Sequence, residues 1–465
     1  MVLGSFLIYA LLAAGQDTQN QSQNQALDRQ FQSAVAQYNA GHLADAATQL
    51  ESLLPYSQKN FEVHELLGLV YAGLSEDAKA AEQLQIATRL KPDSALARTN
   101  LATALLHSGK PELAEEQFRK ALDLEPRDYD ANHNLGEFYI QSKKITDAIP
   151  LLEKAQQARP SYDNGYDLAL AYLLTGQLDN ARQLVNSLEQ IKNTGELHNL
   201  MGQIEEKDGK VVVAVNEYET AAHMDPSEDN LFDWGSELLL HRTYEPAIDV
   251  FTWGVQHYPN SPRLSIGLGM ALYSRGKYDD AVKALLKAAD LNPSDPRCYL
   301  FLSKAYDSSP NQAEDVIQRF RRFAELQPKN ADALYYYAIS LWKGKRAEDP
   351  TLNLQQVQSL LERSITLDPK LAEAYLQLGN LYADQRDYAK SIPEYEAALK
   401  LNPNLSDAHY RLGQDYVHTG QKDRAQGEFD VYQRLRAQHL AEVDKERAEV
   451  QQFVYSAKIA PSAKQ

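Results

Sequence analysis

The chain of 465 residues has one cysteine, Cys298. It can close no disulfide within itself and cannot assemble a thiolate zinc site from a single sulfur. Basic residues are also scarce: 47 Lys and Arg stand against 64 Asp and Glu, a formal net charge of −17. That balance excludes general nucleic-acid binding, which wants a basic face. The apolar run at the N-terminus, Val2 to about Gly15, falls short of the roughly 18 residues that cross a bilayer, so no integral membrane span is expected. Catalytic signatures are missing too. No Gly-rich phosphate loop follows a strand pattern, and neither H-E-x-x-H nor G-x-S-x-G occurs. The histidines are scattered, with His64, His133, His198 and His409 far apart in the chain, and acidic pairs such as Glu205-Glu206 read as solvated helix faces. Neither an enzyme nor a metal or cofactor site is expected from these residues.

What is present is a period. Prolines close successive copies of one phrase at Pro92, Pro126, Pro160, Pro226, Pro259, Pro293, Pro328, Pro369 and Pro403, with gaps of 34, 34, 66, 33, 34, 35, 41 and 34. Alanines keep the same beat at Ala46, Ala80, Ala114, Ala148, Ala181, Ala214, Ala247 and Ala281. Within one copy, Leu135, Gly136 and Tyr139 share a helical stripe, and Ala148, Leu152 and Ala155 share another. A short polar turn such as "SGK", "TGQ" or "RGK" separates the two, and its glycine can take the positive φ of a tight turn. Each copy therefore reads as an antiparallel helix pair ended by proline. Gly68, Gly136, Gly202, Gly235, Gly269, Gly379 and Gly413 are expected to face the small alanines of the second helix. Leu84, Phe118, Leu152, Tyr218, Phe251, Leu285, Tyr395 and Phe429 are expected to bury against the neighbouring pair. A lone pair cannot bury both faces, so stability comes from stacking.

This Leu-Gly…Tyr…Ala…Phe…Pro spacing at a period of 34 resembles the tetratricopeptide repeat. About twelve units start near residues 27, 61, 95, 129, 162, 195, 228, 262, 296, 331, 372 and 406, covering nearly all of the chain from Ala26 to about Arg436. The resemblance implies an all-α fold, a right-handed superhelical solenoid of about twelve antiparallel helix pairs, over residues 26–433. Three units depart from the pattern. The one near Tyr162 lacks its closing proline, having "QIKNTG" instead. The one near Pro296 has a turn one residue too long and no small alanine at the crossing, and the one at Ala331 carries the insertion "KGKRAEDPTLN", a surface loop or part of a binding face.

Both termini invite separate readings. Residues 1–25 resemble a signal peptide and polar spacer: Ala13-Ala14-Gly15 offers small residues for cleavage, although no Lys or Arg precedes the apolar run. A cleaved export signal, giving a periplasmic or secreted protein, is the reading taken; an uncleaved anchor and a misplaced start are the alternatives, and without export the protein would be cytoplasmic. At the other end, "QGEFDVYQRLRAQHLAEVDKERAEVQQF" reads as one long helix from Gln426 to Phe453. Residues 434–465 would then be a capping extension with a disordered tail, or, on the rival reading, a dimerisation seam.

The resemblance implies that first helices line a concave groove that holds protein or peptide partners. The candidate groove residues are Asn100, Asn134, Phe232, Tyr335, Tyr336, Trp342, Asn380, Tyr410 and Arg411, joined by His133, Asn199, Gln377 and Gln414. Asparagine offers an extended backbone both a donor and an acceptor, and aromatics supply anchor area. The cluster from Tyr335 to Arg411 is the preferred site. The family's clamp for a C-terminal carboxylate is not expected, because only Asn380 and Arg411 match it and Leu376 stands where a Lys is needed. The expected function is a non-catalytic scaffold for protein partners. Two alternatives are a component of an envelope-biogenesis, secretion or polysaccharide-export apparatus, and the repeat domain of a transferase. Cys298 sits at a third repeat position and is expected to be a buried, inert thiol rather than a reactive one.

Overall fold

The computed structural model describes residues 25–308, 312–343 and 353–438. Among them the chain is helical, with no strand. Two compact units divide it, Met1–Asn193 and Thr194–Gln465. Unit 1 holds α1 (25–39), α2 (Leu43–Leu53), α3 (Phe61–Gly73), α4 (Asp77–Leu90), α5 (Ala95–His107), α6 (Pro111–Leu124), α7 (Tyr129–Gln141), α8 (Ile145–Ala158), α9 (Tyr162–Leu174) and α10 (Leu178–Glu189). Unit 2 begins with α11 (Gly195–Lys207), α12 (Val211–Met224), α13 (Glu228–Leu240), α14 (Tyr244–His257), α15 (Pro262–Ser274), α16 (Tyr278–Leu291) and α17 (Pro296–Ser308). It continues with α18 (Ala313–Leu326), α19 (Ala331–Lys343), α20 (Leu354–Leu367), α21 (Ala372–Asp384), α22 (Tyr388–Leu401), α23 (Ser406–His418) and α24 (Lys422–Ala437). The odd-numbered helices from α3 onward start at the residues that the repeat period marks. The junction between the units, at Asn193–Thr194, falls in the turn that lacks its closing proline. The N-terminal apolar run, the insertion after Lys343 and the stretch beyond Gln438 lie outside the described residues.

Local chemistry sets the helix ends. Asn60, Ser94, Asp128, Ser161, Thr194, Ser227 and Ser261 each accept a backbone N–H near the start of a first helix. Each described hairpin turn holds one residue of left-handed backbone. Gly109, Gly176 and Gly276 supply it with φ of +73°, +79° and +82°. Ser75, Lys143, Arg242 and Arg386 take the same conformation without being glycine, at φ of 60° to 61°. The turn geometry therefore outlasts its preferred residue, at a cost of about 1–2 kcal/mol each.

The nearest neighbours of the mid-helix glycines are larger than the alanines, although Ala80 O also stands 3.3 Å from where a Cβ on Gly68 would lie. Each glycine receives the large side chain sixteen residues later, from the second helix of its own pair. A methyl carbon at Gly136 would fall 2.6 Å from Leu152 Cδ2, one at Gly202 2.8 Å from the Tyr218 ring, and one at Gly269 2.5 Å from Leu285 Cγ. Of these large residues all but the half-buried Phe429 are fully buried, so the missing Cβ is what lets them in.

Two further devices tie the helices together. The fourth residue of several first helices reaches back to the carbonyl six residues earlier: Arg98 donates to Pro92 O at 2.7 Å, Tyr299 to Pro293 O at 3.0 Å, and His409 Nε2 lies 3.0 Å from Pro403 O. The same residue often meets a side chain nineteen positions later, as in His64–Gln83 at 2.8 Å, His198–Glu217 at 2.6 Å and His409–Glu428 at 2.5 Å. His64, His198 and His409 are thus clamps between paired helices, whereas His133 meets Asn164 of the next first helix at 3.2 Å. The tyrosines late in first helices, in turn, donate to a glutamate on the preceding second helix: Tyr71 to Glu51 at 2.7 Å, Tyr172 to Glu153 at 2.6 Å and Tyr416 to Glu396 at 2.7 Å. Lys79 and Arg424 lie over the Tyr71 and Tyr416 rings at 5.1 and 4.1 Å.

Tyr306 occupies this tyrosine position but finds Leu286 where the glutamate would stand. Among the described residues its buried hydroxyl has no hydrogen-bond partner, and burial, with Asp307 adding to it, pushes its pKa up to about 12. Leaving such a group unsatisfied costs about 1–3 kcal/mol. Tyr306→Phe is therefore expected to be neutral or stabilising in urea denaturation, whereas Tyr416→Phe should lose about 1 kcal/mol. Equal losses in the two variants would reject this reading. The pair around Tyr306 is unusual in another way: Val316 stands at the crossing in place of alanine, and the α17 and α18 backbones lie farther apart, with Tyr299 stacked on Phe323 at 4.0 Å between them.

Candidate functional site

In unit 2 the first helices touch one another in sequence order, α11 to α13, α13 to α15, α15 to α17 and α17 to α19, and likewise α21 to α23. Their shared face carries most of the late candidate residues. On α19, Tyr335, Tyr336 and Trp342 are half-buried and pack against the main core of the unit. The Tyr335 and Tyr336 rings meet edge to face at 5.5 Å, and Tyr336 lies 5.7 Å from Phe320. A hydrogen-bond chain joins this cluster to the next helices. Tyr395 donates to Asn380 Oδ1 at 2.8 Å, Asn380 donates to Gln377 Oε1 at 3.2 Å, and Gln377 bonds the Tyr335 hydroxyl. Burial, then the carboxylates of Asp307, Glu373 and Asp332, drive the Tyr335 pKa upward, so the phenol keeps its proton. Burial and the neighbouring Asp368 and Glu373 push the Asp332 carboxyl up as well.

On α23, Tyr410 is 40% exposed and rests on Tyr432 at 5.1 Å and Phe429 at 6.0 Å. Gln414 donates to its hydroxyl at 3.1 Å. Arg411 beside it is exposed, and its charge acts on Asp415 and Tyr395. Tyr335 and Asn380 are thus joined through Gln377, while Tyr410 and Arg411 extend the same row of first helices.

The early candidates separate. In unit 1, Asn100 is half-buried on α5, and Asn134 on α7 donates to Thr103 Oγ1 at 3.3 Å. Asn134, Thr103, Glu137 and Phe138 line an open cleft of about 440 Å³. In unit 2, Asn199 donates to Asp233 at 2.9 Å and accepts from Gln203 at 2.7 Å. Phe232 does not belong to the open face. It is 1% exposed, packs 6.3 Å from Phe251, and is covered by the Arg263 guanidinium at 5.2 Å. Arg263 is held there by Glu228 at 2.6 Å, which turns a position expected to be open into core. Cys298 is fully buried with its thiol 3.2 Å from Asp295 O, and burial raises its pKa, as expected of an inert thiol. No helix among the described residues is long and apolar enough to cross a membrane.

Tetratricopeptide-repeat family descriptions match residues 31–95, 99–163, 139–204, 269–307 and 372–405. The chain belongs to the tetratricopeptide-repeat family. Among its relatives in this family is TPR repeat-containing protein YpiA of Bacillus subtilis, 25% identical over 344 residues that cover 72% of this chain and 77% of the relative. Type IV pilus assembly protein PilF of Pseudomonas aeruginosa is 34% identical over 91 residues, covering 20% of this chain and 35% of that protein. The solved C-terminal part of a TPR repeat-containing protein from Cytophaga hutchinsonii aligns with 60% of this chain and 99% of its own, at 18% identity and a TM-score of 0.43. Tetratricopeptide-repeat proteins bind protein partners, which makes the first-helix faces of the two units the places to seek function.

Proposed function

We propose that the protein is a non-catalytic scaffold that holds protein or peptide partners on the first-helix face of its repeats. The observation that carries this reading is the chain from Tyr395 through Asn380 and Gln377 to Tyr335, with Tyr410 exposed on the next first helix. An amide has two N–H donors and two acceptor sites. Asn380 spends one of each inside the chain, so it is held in orientation while keeping one donor and one acceptor for a peptide backbone. The half-buried rings add anchor area around it.

The test uses the tagged full-length protein cross-linked in its native host. Changing Tyr410 and Arg411 together to alanine should cut partner capture at least about fivefold, since an interface anchor contributes more than about 1 kcal/mol. Far-UV circular dichroism should stay unchanged, because both side chains are exposed. Undiminished capture would send the search to another face. Tyr335→Ala and Tyr336→Ala are poor probes, because their rings also pack on the core.

A second reading, a component of an envelope-assembly or secretion apparatus, draws on the local similarity to PilF and on the apolar N-terminal run. Under it the protein is exported. The mature N-terminus is then expected near Gln16 by Edman or mass-spectrometric sequencing, and recovery of Met1 would remove the export proposal.

A further inference from the structure

The second helices of unit 2 present a surface that the scaffold reading leaves unused. Between α18 and α20, with α19 behind them, lies an open cleft of about 630 Å³. Helical spacing decides its lining. On α20, Gln356, Leu360 and Arg363 fall on one stripe, and on α18 Arg321, Ala324 and Glu325 do the same. The floor is apolar: Leu334 and Leu360 are buried, and Tyr337 is half-buried with its hydroxyl 3.4 Å from Gln356 Nε2.

The rim is positive. Arg321 and Arg363 are both exposed. Arg321 has one acid nearby, Glu325, at 3.9 Å, too far for a hydrogen bond. Arg363 has no ion-pair partner among the described residues. The adjacent charges are committed elsewhere: Glu362 accepts from Gln358 at 2.8 Å, and Arg322 leans toward Asp290 at 4.0 Å. In a chain of net charge −17, two guanidiniums against one carboxylate over an apolar floor form a local reversal of sign.

We propose that this cleft is a second binding site, and that it takes an acidic peptide segment carrying an apolar anchor. Carboxylates of the segment meet Arg363 and Arg321, whose planar forks suit two parallel N–H···O bonds. The anchor settles on Leu334 and Leu360. Glu325 acts against the ligand by drawing on Arg321, so Arg363 is the stronger contact.

Three twelve-residue peptides of identical apolar content, with Glu, Gln or Lys at the polar positions, test this by fluorescence anisotropy against the full-length protein. The overall charge of the chain attracts the Lys peptide, so a preference for the Glu peptide can arise only locally. The Glu peptide is expected to bind at least about tenfold more tightly than the Gln peptide. Arg321→Glu with Arg363→Glu should erase that preference, and Glu325→Gln should tighten binding about threefold. Both arginines are exposed, and circular dichroism checks that the variants fold. Tyr410→Ala should leave the Glu peptide bound, which separates this cleft from the first-helix face. The proposal is overturned by a Gln or Lys peptide that binds as tightly, by binding that survives both arginine changes, by loss on Tyr410→Ala, or by no binding of any peptide at millimolar concentration.

Discussion

Replacing Phe251 with alanine should cost unit 2 about 3–5 kcal/mol, the range for deleting a fully buried phenylalanine. The ring is 0% exposed and is wedged between glycines of two successive first helices. A methyl carbon on Gly235 would fall 2.7 Å from Phe251 Cζ, and one on Gly267 2.5 Å from Cε1. One side chain thus holds α13, α14 and α15 together, and its loss leaves a cavity that rigid helices cannot easily close. The converse change has the opposite geometry and the same sign. Gly267→Ala overpacks the site and should cost about 1–3 kcal/mol. In a Phe251→Leu background the clash is relieved, so the penalty of Gly267→Ala should shrink markedly in a double-mutant cycle read by urea denaturation. An unchanged penalty would contradict the wedge.

Acid should loosen unit 1 through Glu115. Its carboxylate accepts from Tyr139 at 2.8 Å, Arg119 at 2.9 Å and Lys144 at 3.2 Å. Burial pushes its pKa up, but the hydrogen bonds from Tyr139, Arg119 and Lys144 outweigh burial and hold it at about 2, below the ordinary 4.5. Between those two values the unfolded chain binds more protons than the folded one. The stabilisation is therefore complete above about pH 4.5 and fades as pH falls toward 2. Taken alone the shift corresponds to roughly 3 kcal/mol. Arg119 and Lys144 are 64% and 48% exposed, however, and solvent screening reduces the effect to about 1–2 kcal/mol. Glu115→Gln should lose that amount at pH 7 and almost none near pH 2. The same penalty at both values would show that shape, not charge, is at stake.

How much of this was legible in the sequence varies with the range of the interaction. Helix starts such as Tyr129, Pro262 and Ala372 could be read because caps, turn glycines and closing prolines act on their immediate neighbours. The nearest partner of each glycine is harder to read, since helical stripes show which residues share a face but not which one a facing helix inserts. The constant step from Gly136 to Leu152, Gly235 to Phe251 and Gly379 to Tyr395 was nonetheless visible as a repeated pairing of small and large. The clamps of His64, His198 and His409 are hard to read, because a scattered histidine suggests a ligand and nothing within one helix points to the glutamine or glutamate nineteen residues on. Phe232 shows the limit of repeat position as a guide. Its place in the period is open in general, and only the particular arginine of the next repeat, Arg263, closes it. Tyr335, Gln377 and Asn380 all follow from repeat position as first-helix residues, but a period does not tell which of them meet one another.

Each tyrosine–glutamate bond joins a hairpin only to the one before it, so the array resembles a row of buttons more than a single seam. Under a pulling force the load passes along that row one fastening at a time. At Tyr306, which meets Leu286, the button has no hole to enter, and where Leu105, Leu238 and Leu272 stand in for the tyrosine the fastening is absent altogether.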